Sequence, residues 1–292
     1  MKIIKYFLEF VSIISLFIIF KIMGLKNASY LGGVIGKYVG PLFRSKIITK
    51  QNIQIGLKEI DNNKEKKIIN EMWANFGRTF AEYMFLKDFK YNTTNFDHMK
   101  IIGAEYLNEI KKNNEQVIFY SAHLANFELM AMELEKSGIK CAAIYRPLNN
   151  FFLNPLMEYL RMKYICPTQI PKGRTGTREI INKIKNGYSI ALMMDQRVSE
   201  GLKVPFFDKE AFTSTIPAQI ALKYNYRLVP IFLERKGSIN FELTIHKPYE
   251  IIKTDNEDKD IKDITLKINQ NLEKMILKNP GQWIWSHNRW KL

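Results

Sequence analysis

From residue 116 onward, short apolar runs alternate with stretches whose apolar residues recur at helical spacing, and few architectures accommodate that order. QVIFYS (116–121) reads as a buried strand, and NFELMAMELEKSG (126–138) as a helix stopped by Gly138. CAAIY (141–145) is a second strand, LNPLMEYLRMK (153–163) and TREIINKIKNG (177–187) are helices, and SIALMMD (189–195) is another strand. STIPAQIALKYN (214–225) is a helix with Ser214 or Thr215 as N-cap, followed by the strand RLVPIFLE (227–234). FELTIHK (241–247) alternates like a more exposed strand, and 258–278 is a long charged amphipathic helix. Strands alternating with helices predict an α/β sandwich around a mixed or parallel central sheet.

The N-terminus obeys a different rule. Residues 6–20 read YFLEFVSIISLFIIF, with Glu9 as the only charge. Extended to Leu25 the segment would form roughly 30 Å of helix, the thickness of a hydrocarbon core. KIMGLKNAS offers a poor cleavage site, so residues 1–25 are expected to stay as a membrane anchor or deeply inserted helix and residues 26–292 to form one domain. Lys2 and Lys5 precede the segment while Lys21 and Lys26 follow it, so the positive-inside rule barely orients it. The next stretch, 27–50, is apolar but broken by Gly32, Gly33, Gly36 and Gly40. It reads equally as a kinked segment lying on a bilayer or as a helix packed on the core. Residues 65–87 repeat apolar positions at helical spacing.

Composition narrows the partners. Lys and Arg number 44 against 29 Asp and Glu, a net charge of +15, in a chain that is 46% hydrophobic. That hydrophobicity excludes a disordered chain, and the charge points to anionic partners. Cys141 and Cys166 lack metal-ligand spacing and read as core residues in a reducing compartment.

The segment Ser121-Ala122-His123-Leu124-Ala125-Asn126-Phe127-Glu128 carries the chemistry. His123 follows directly after a strand, at the edge of a rigid sheet. Asn126 is placed as N-cap, which makes Glu128 a first-turn carboxylate that the helix dipole keeps ionised. If the turn brings Glu128 back to the imidazole, the pair becomes an oriented general base. An isolated H-x4-E also reads as a core histidine beside a helix-start glutamate, and the spacing alone leaves both open.

H-x4-D/E after a strand resembles the glycerolipid acyltransferase superfamily, and Glu at the second position resembles its lipid A branch. Ala143-Ile144-Tyr145-Arg146-Pro147-Leu148 is similar to that family's second block, and Met194-Asp195-Gln196-Arg197 to its Asp-Gln block. Val204-Pro205-Phe206-Phe207, with Ala211-Phe212-Thr213, resembles its V-P-F-F-G…A-x-T block, with Asp208 in place of the usual glycine. Residues 280–291, PGQWIWSHNRWK, resemble its terminal P-x-Q-W-x-W-x-H-x-R-W-K signature. On these blocks the chain is identified as a member of the late lipid A biosynthesis acyltransferases, lauroyl/myristoyl-type.

The resemblance implies a glycerol-3-phosphate acyltransferase-like αβα fold on a bacterial inner membrane, with the catalytic domain cytoplasmic. It implies transfer of a fatty acyl group from acyl carrier protein to a hydroxyl on an acyl chain of a lipid A precursor. His123 and Glu128 are the expected catalytic dyad, and Arg146, Arg161, Arg174, Asp195 and Gln196 the expected substrate-binding set. One of the arginines would stabilise the oxyanion. No cofactor or metal is expected: His98, His246 and His287 are scattered, and Lys172-Gly173-Arg174-Thr175-Gly176 departs from the G-x4-G-K-[ST] pattern. Nucleic acid is not expected either, because the lysines are spread along the chain without a stripe. The rival readings are an acyltransferase for a lysophospholipid or other glycolipid, and a non-catalytic basic membrane-tethered binding protein.

Overall fold

The computed structural model describes residues 2–93 and 97–291, with the side chain of Arg174 outside the described residues. The apolar N-terminal run forms helix α1 (Lys2–Met23), and Gly24 at φ 76° then breaks it before α2 (Leu25–Val39). Helices α3 (Lys46–Leu57), α4 (Asn62–Glu82) and α5 (Leu86–Tyr91) follow. The α/β region then runs β1 (Met99–Ile102), α6 (Ala104–Lys112), β2 (Val117–Ser121), α7 (Glu128–Lys136), β3 (Cys141–Tyr145), α8 (Asn154–Leu160) and β4 (Gln169–Pro171). It continues α9 (Arg174–Lys185), β5 (Ser189–Met193), β6 (Leu202–Phe206), β7 (Lys209–Thr213), α10 (Ile216–Tyr224), β8 (Arg227–Arg235), β9 (Phe241–Ile245) and α11 (Glu257–Lys278).

The central sheet has seven strands in the order β1-β9-β8-β2-β5-β3-β4. Strands β8 and β9 pair antiparallel and every other neighbour pair is parallel, so the sheet is mixed, as the alternation predicts. Its two faces bury separate apolar layers, because successive side chains on a strand point to opposite sides. Ile118 and Tyr120 of β2 join the layer beneath α9, α10 and α11. Val117 and Phe119 join the layer beneath α6, α7 and α8, which also contains Phe17 and Phe20 of α1.

The glycines of α2 settle the reading of 27–50. A Cβ on Gly77 of α4 would meet the Gly32 carbonyl oxygen at 2.0 Å, and one on Gly36 would meet the Trp73 carbonyl at 2.3 Å. The two helices approach backbone to backbone, so α2 packs on the core, while its outer side still exposes Tyr30 and Tyr38. Asn126 departs from the expected N-cap: α7 has no side-chain cap, and the Asn126 amide instead donates to Glu82 Oε2 at 2.8 Å. The V-P-F-F block forms a hairpin that the sequence did not announce, β6 against β7. Its turn places Phe207 and Asp208 at φ 53° and 57°. Aspartate tolerates this left-handed conformation better than most residues, and Lys58 closes on it at 2.8 Å, so the turn survives without the usual glycine.

Candidate functional site

Strands β2 and β5 are parallel neighbours with Ser121 opposite Met193, and Met194 N–H continues the ladder to the Ser121 carbonyl at 2.8 Å. Two residues beyond each of those positions stand His123 and Asp195, which the register therefore brings together at the carboxyl edge of the sheet. His123 Nδ1 lies 2.7 Å from Asp195 Oδ1, and the His123 backbone N–H donates to Asp195 Oδ2 at 3.0 Å. Trp283 Nε1–H donates to Asp195 Oδ2 at 2.7 Å, so the terminal signature holds the same carboxylate. Burial alone would raise the Asp195 carboxyl, but the charge of His123 and the donors from His123 and Trp283 outweigh it and hold the group at about 2. An ionised carboxylate only accepts, so Nδ1 carries the proton and Nε2 is left to take another. The imidazole is 19% exposed against 2% for Asp195, so one partner faces the cavity while the other is sealed behind it. The ring packs edge-on to Phe127 at 4.7 Å.

Glu128 has other partners, which corrects the expected pairing. Its Oε1 accepts from Arg161 Nη2 at 2.6 Å and from Nε at 3.1 Å, and from the Tyr83 hydroxyl. Arg161 Nη2 also donates to Tyr83 Oη at 2.9 Å. No hydrogen bond joins Glu128 to His123 among the described residues. The physical reason is the sheet register: it offers His123 a carboxylate from the adjacent strand, while Glu128 lies on the first turn of α7 against Tyr83, just past the end of α4, and Arg161, just past the end of α8. Burial pushes the Tyr83 hydroxyl well up, followed by the charge of Glu128. Burial would lower the Arg161 guanidinium, but Glu128 and Tyr83 outweigh it and raise it.

His123, Glu128 and Arg161 border a cavity of about 1100 Å3, larger than most drug-sized pockets at roughly 300–1,000 Å3. Its apolar lining includes Phe119, Met130, Ala143, Ile165, Ala191 and Ile231. Its polar lining includes Arg44, Arg146, Lys172, Gln196, Arg197 and His287. Of the expected residues, His123, Glu128, Arg146, Arg161 and Gln196 therefore line one cavity, and Asp195 sits behind His123. Arg174 opens α9, and its side chain falls outside the described residues.

Sequence reasoning missed Tyr83, Lys172, Arg197 and His287. Lys172 is lowered by burial and then by Arg146, and among the described residues no carboxylate lies within ion-pair distance of Arg146, Lys172 or Arg197. His287 is held neutral: burial pushes it down to about 4, with His123, Arg289 and Arg197 adding to the effect against Asp195. Its Nδ1 is buried without a hydrogen-bond partner. The terminal signature was a visible signal for His287, although only the fold turns that ring toward His123.

The profile of the bacterial lipid A biosynthesis acyltransferases matches residues 1–292. The chain is 24% identical over 262 residues to lipid A biosynthesis acyltransferase 2 of Shigella flexneri, covering 86% of this chain and 79% of that one. It is 24% identical over 273 residues to the lipid A biosynthesis palmitoleoyltransferase of Escherichia coli, covering 90% and 84%. It is 22% identical over 260 residues to the lipid A biosynthesis lauroyltransferase of Escherichia coli, covering 85% and 79%.

Proposed function

Because the chain belongs to the bacterial lipid A biosynthesis acyltransferase family, we propose that it moves a fatty acyl group from the thioester of acyl carrier protein to a hydroxyl on an acyl chain of a lipid A precursor. The observation that carries this reading is the His123–Asp195 pair at a cavity lined by both apolar and cationic side chains. The apolar lining suits the acyl chain of the donor and the cationic side chains a phosphorylated sugar acceptor.

The acceptor hydroxyl gives its proton to His123 Nε2 as its oxygen bonds to the thioester carbonyl carbon. Asp195 fixes the tautomer beforehand and stabilises the imidazolium afterwards, the role a buried carboxylate plays behind a catalytic histidine. The carbonyl oxygen gains the displaced electron pair, which Arg161 stabilises. Its Nη1 is buried without a hydrogen-bond partner, while Glu128 and Tyr83 hold its other nitrogens. Collapse breaks the carbon–sulfur bond, and the imidazolium returns the proton to the carrier thiolate. His287 Nδ1, neutral and unpaired in the cavity lining, serves as a further hydrogen-bonding contact for the acceptor.

The direct test supplies membranes containing the protein with labelled acyl carrier protein and an under-acylated lipid A precursor. Transfer to that precursor is expected. Transfer to a lysophospholipid in its place would replace the acceptor, and free acyl-coenzyme A outperforming the carrier would replace the donor.

Chain length should answer to the apolar lining. Ala143 and Ala191 stand opposite each other on β3 and β5 and both line the cavity, so two small side chains create room there. Ala191→Leu is expected to shorten the preferred acyl chain. Overpacking costs about 1–3 kcal/mol, so the longest accepted chain should lose about 5- to 150-fold in kcat/KM. An unchanged preference would place the chain elsewhere.

A further inference from the structure

Helix α1 is long and apolar enough to cross a bilayer, yet the domain grips it from end to end. Near its start, Asn150 Nδ2 donates to the Tyr6 carbonyl at 2.9 Å and to Glu9 Oε2 at 3.2 Å. Tyr6 packs on Phe151 at 5.8 Å, and Phe7 on Phe152 at 5.6 Å. Near its end, Phe17 packs on Phe80 at 4.9 Å, and Phe17 and Phe20 are buried. Lys21 Nζ donates to the Met84 carbonyl at 3.3 Å and pairs with Asp88 at 3.5 Å.

Tyr6, Phe10, Ile13, Phe17 and Phe20 recur at intervals of three and four, so the gripped residues form one seam along the helix. From Tyr6 to Lys21 the seam is roughly 22 Å long at about 1.5 Å per residue. The opposite stripe is Ile4, Leu8, Val11, Ile18 and Ile22, all exposed, from 44% at Val11 to 82% at Ile22. Ser15 on the same stripe satisfies its hydroxyl on the Val11 carbonyl at 2.9 Å. A helix spanning the bilayer would drag both docking sites into hydrocarbon, with Asn150 and Glu9 at one end and Lys21 and Asp88 at the other. Buried polar and charged groups make that costly.

We infer that α1 lies in the plane of the membrane, seam on the domain and outer stripe in the acyl boundary of an anionic leaflet, so that the protein enters one leaflet without crossing. The flanking charges fit this placement. Lys5 and Lys26 are exposed near the two ends of α1 and can meet the same anionic surface, while Lys21 is held on the domain by Asp88. A second copy on the same stripe would bring lysines against lysines.

The test uses the full chain in vesicles containing anionic lipid, with spin labels on single cysteines in the variants Ile4→Cys, Val11→Cys and Ile18→Cys. The native Cys141 and Cys166 are buried and contribute little background labelling. Expected is one shallow depth at all three positions, with access to a lipid-soluble relaxant. A depth profile with its maximum at Val11→Cys, and Ile4→Cys and Ile18→Cys nearer opposite headgroup layers, would overturn the inference in favour of a spanning helix. Exclusion of the relaxant from all three would overturn it in favour of a protein partner. None of these outcomes depends on the acyl transfer reaction.

Discussion

Acyl transfer is expected to fall about 10^3- to 10^4-fold in Asp195→Asn, close to the loss in His123→Ala, with the fold retained. Asparagine keeps the size of the side chain and can still accept from His123 Nδ1–H. Its amide can equally present N–H to that nitrogen, which selects the tautomer whose Nε2 already carries a proton. It also removes the negative charge that offsets the imidazolium. Asp195 is held at about 2 in the fold against an ordinary aspartate value of 3.8. The carboxylate is therefore present at every pH where transfer is measurable, and the acid limb of a pH–rate profile belongs to another group. By linkage, a depressed carboxyl adds stability above its unfolded value and loses that contribution as pH falls through about 2. Single-turnover rates of Asp195→Asn and Glu128→Gln, measured together, decide which carboxylate orients the base. A near-normal rate in Asp195→Asn, with Glu128→Gln inactive, would return that role to Glu128.

The largest expected loss of stability comes from Glu82, which is fully buried and receives four donors. Oε1 accepts from Ser29 Oγ at 2.7 Å and Arg235 Nη1 at 2.6 Å, and Oε2 from Asn126 Nδ2 at 2.8 Å and Arg235 Nη2 at 3.0 Å. One carboxylate thus ties α2, α4, the end of β8 and the turn that follows His123. Glu82→Ala leaves the Arg235 guanidinium buried without its counter-ion, which costs about 3–5 kcal/mol. Thermal unfolding in detergent should show a clear fall in Tm. Transfer should also fall at temperatures where the protein remains folded, because Asn126 loses its anchor. A Tm within a degree of the wild type would mean that water reaches Arg235 and that the network is ornamental to stability.

Sequence reasoning was strongest where the deciding physics is local. The runs 117–121, 141–145, 189–193 and 227–235 became strands because a fully apolar run between turn residues has few other solutions. It was weakest where the partner lies far along the chain. Strand β4 is only three residues long and leaves almost no period to read. Asn126 looked like a cap because asparagine before a helix usually is one, and a buried carboxylate 44 residues earlier claimed it.

The candidate site divides along the same line. The sequence by itself determined an α/β fold around a mixed or parallel sheet, an apolar N-terminal helix, and His123 and Asp195 as residues at the ends of two strands. Tertiary structure decided that those strands are neighbours in the register that joins the two side chains. It decided as well that Glu128 serves Arg161, and that α1 is bound along its length. Periodicity and capping act over a few residues and are written locally. Strand pairing, ion-pair choice and helix docking depend on which distant surfaces meet, and the energy that selects among them exists only once the chain has folded.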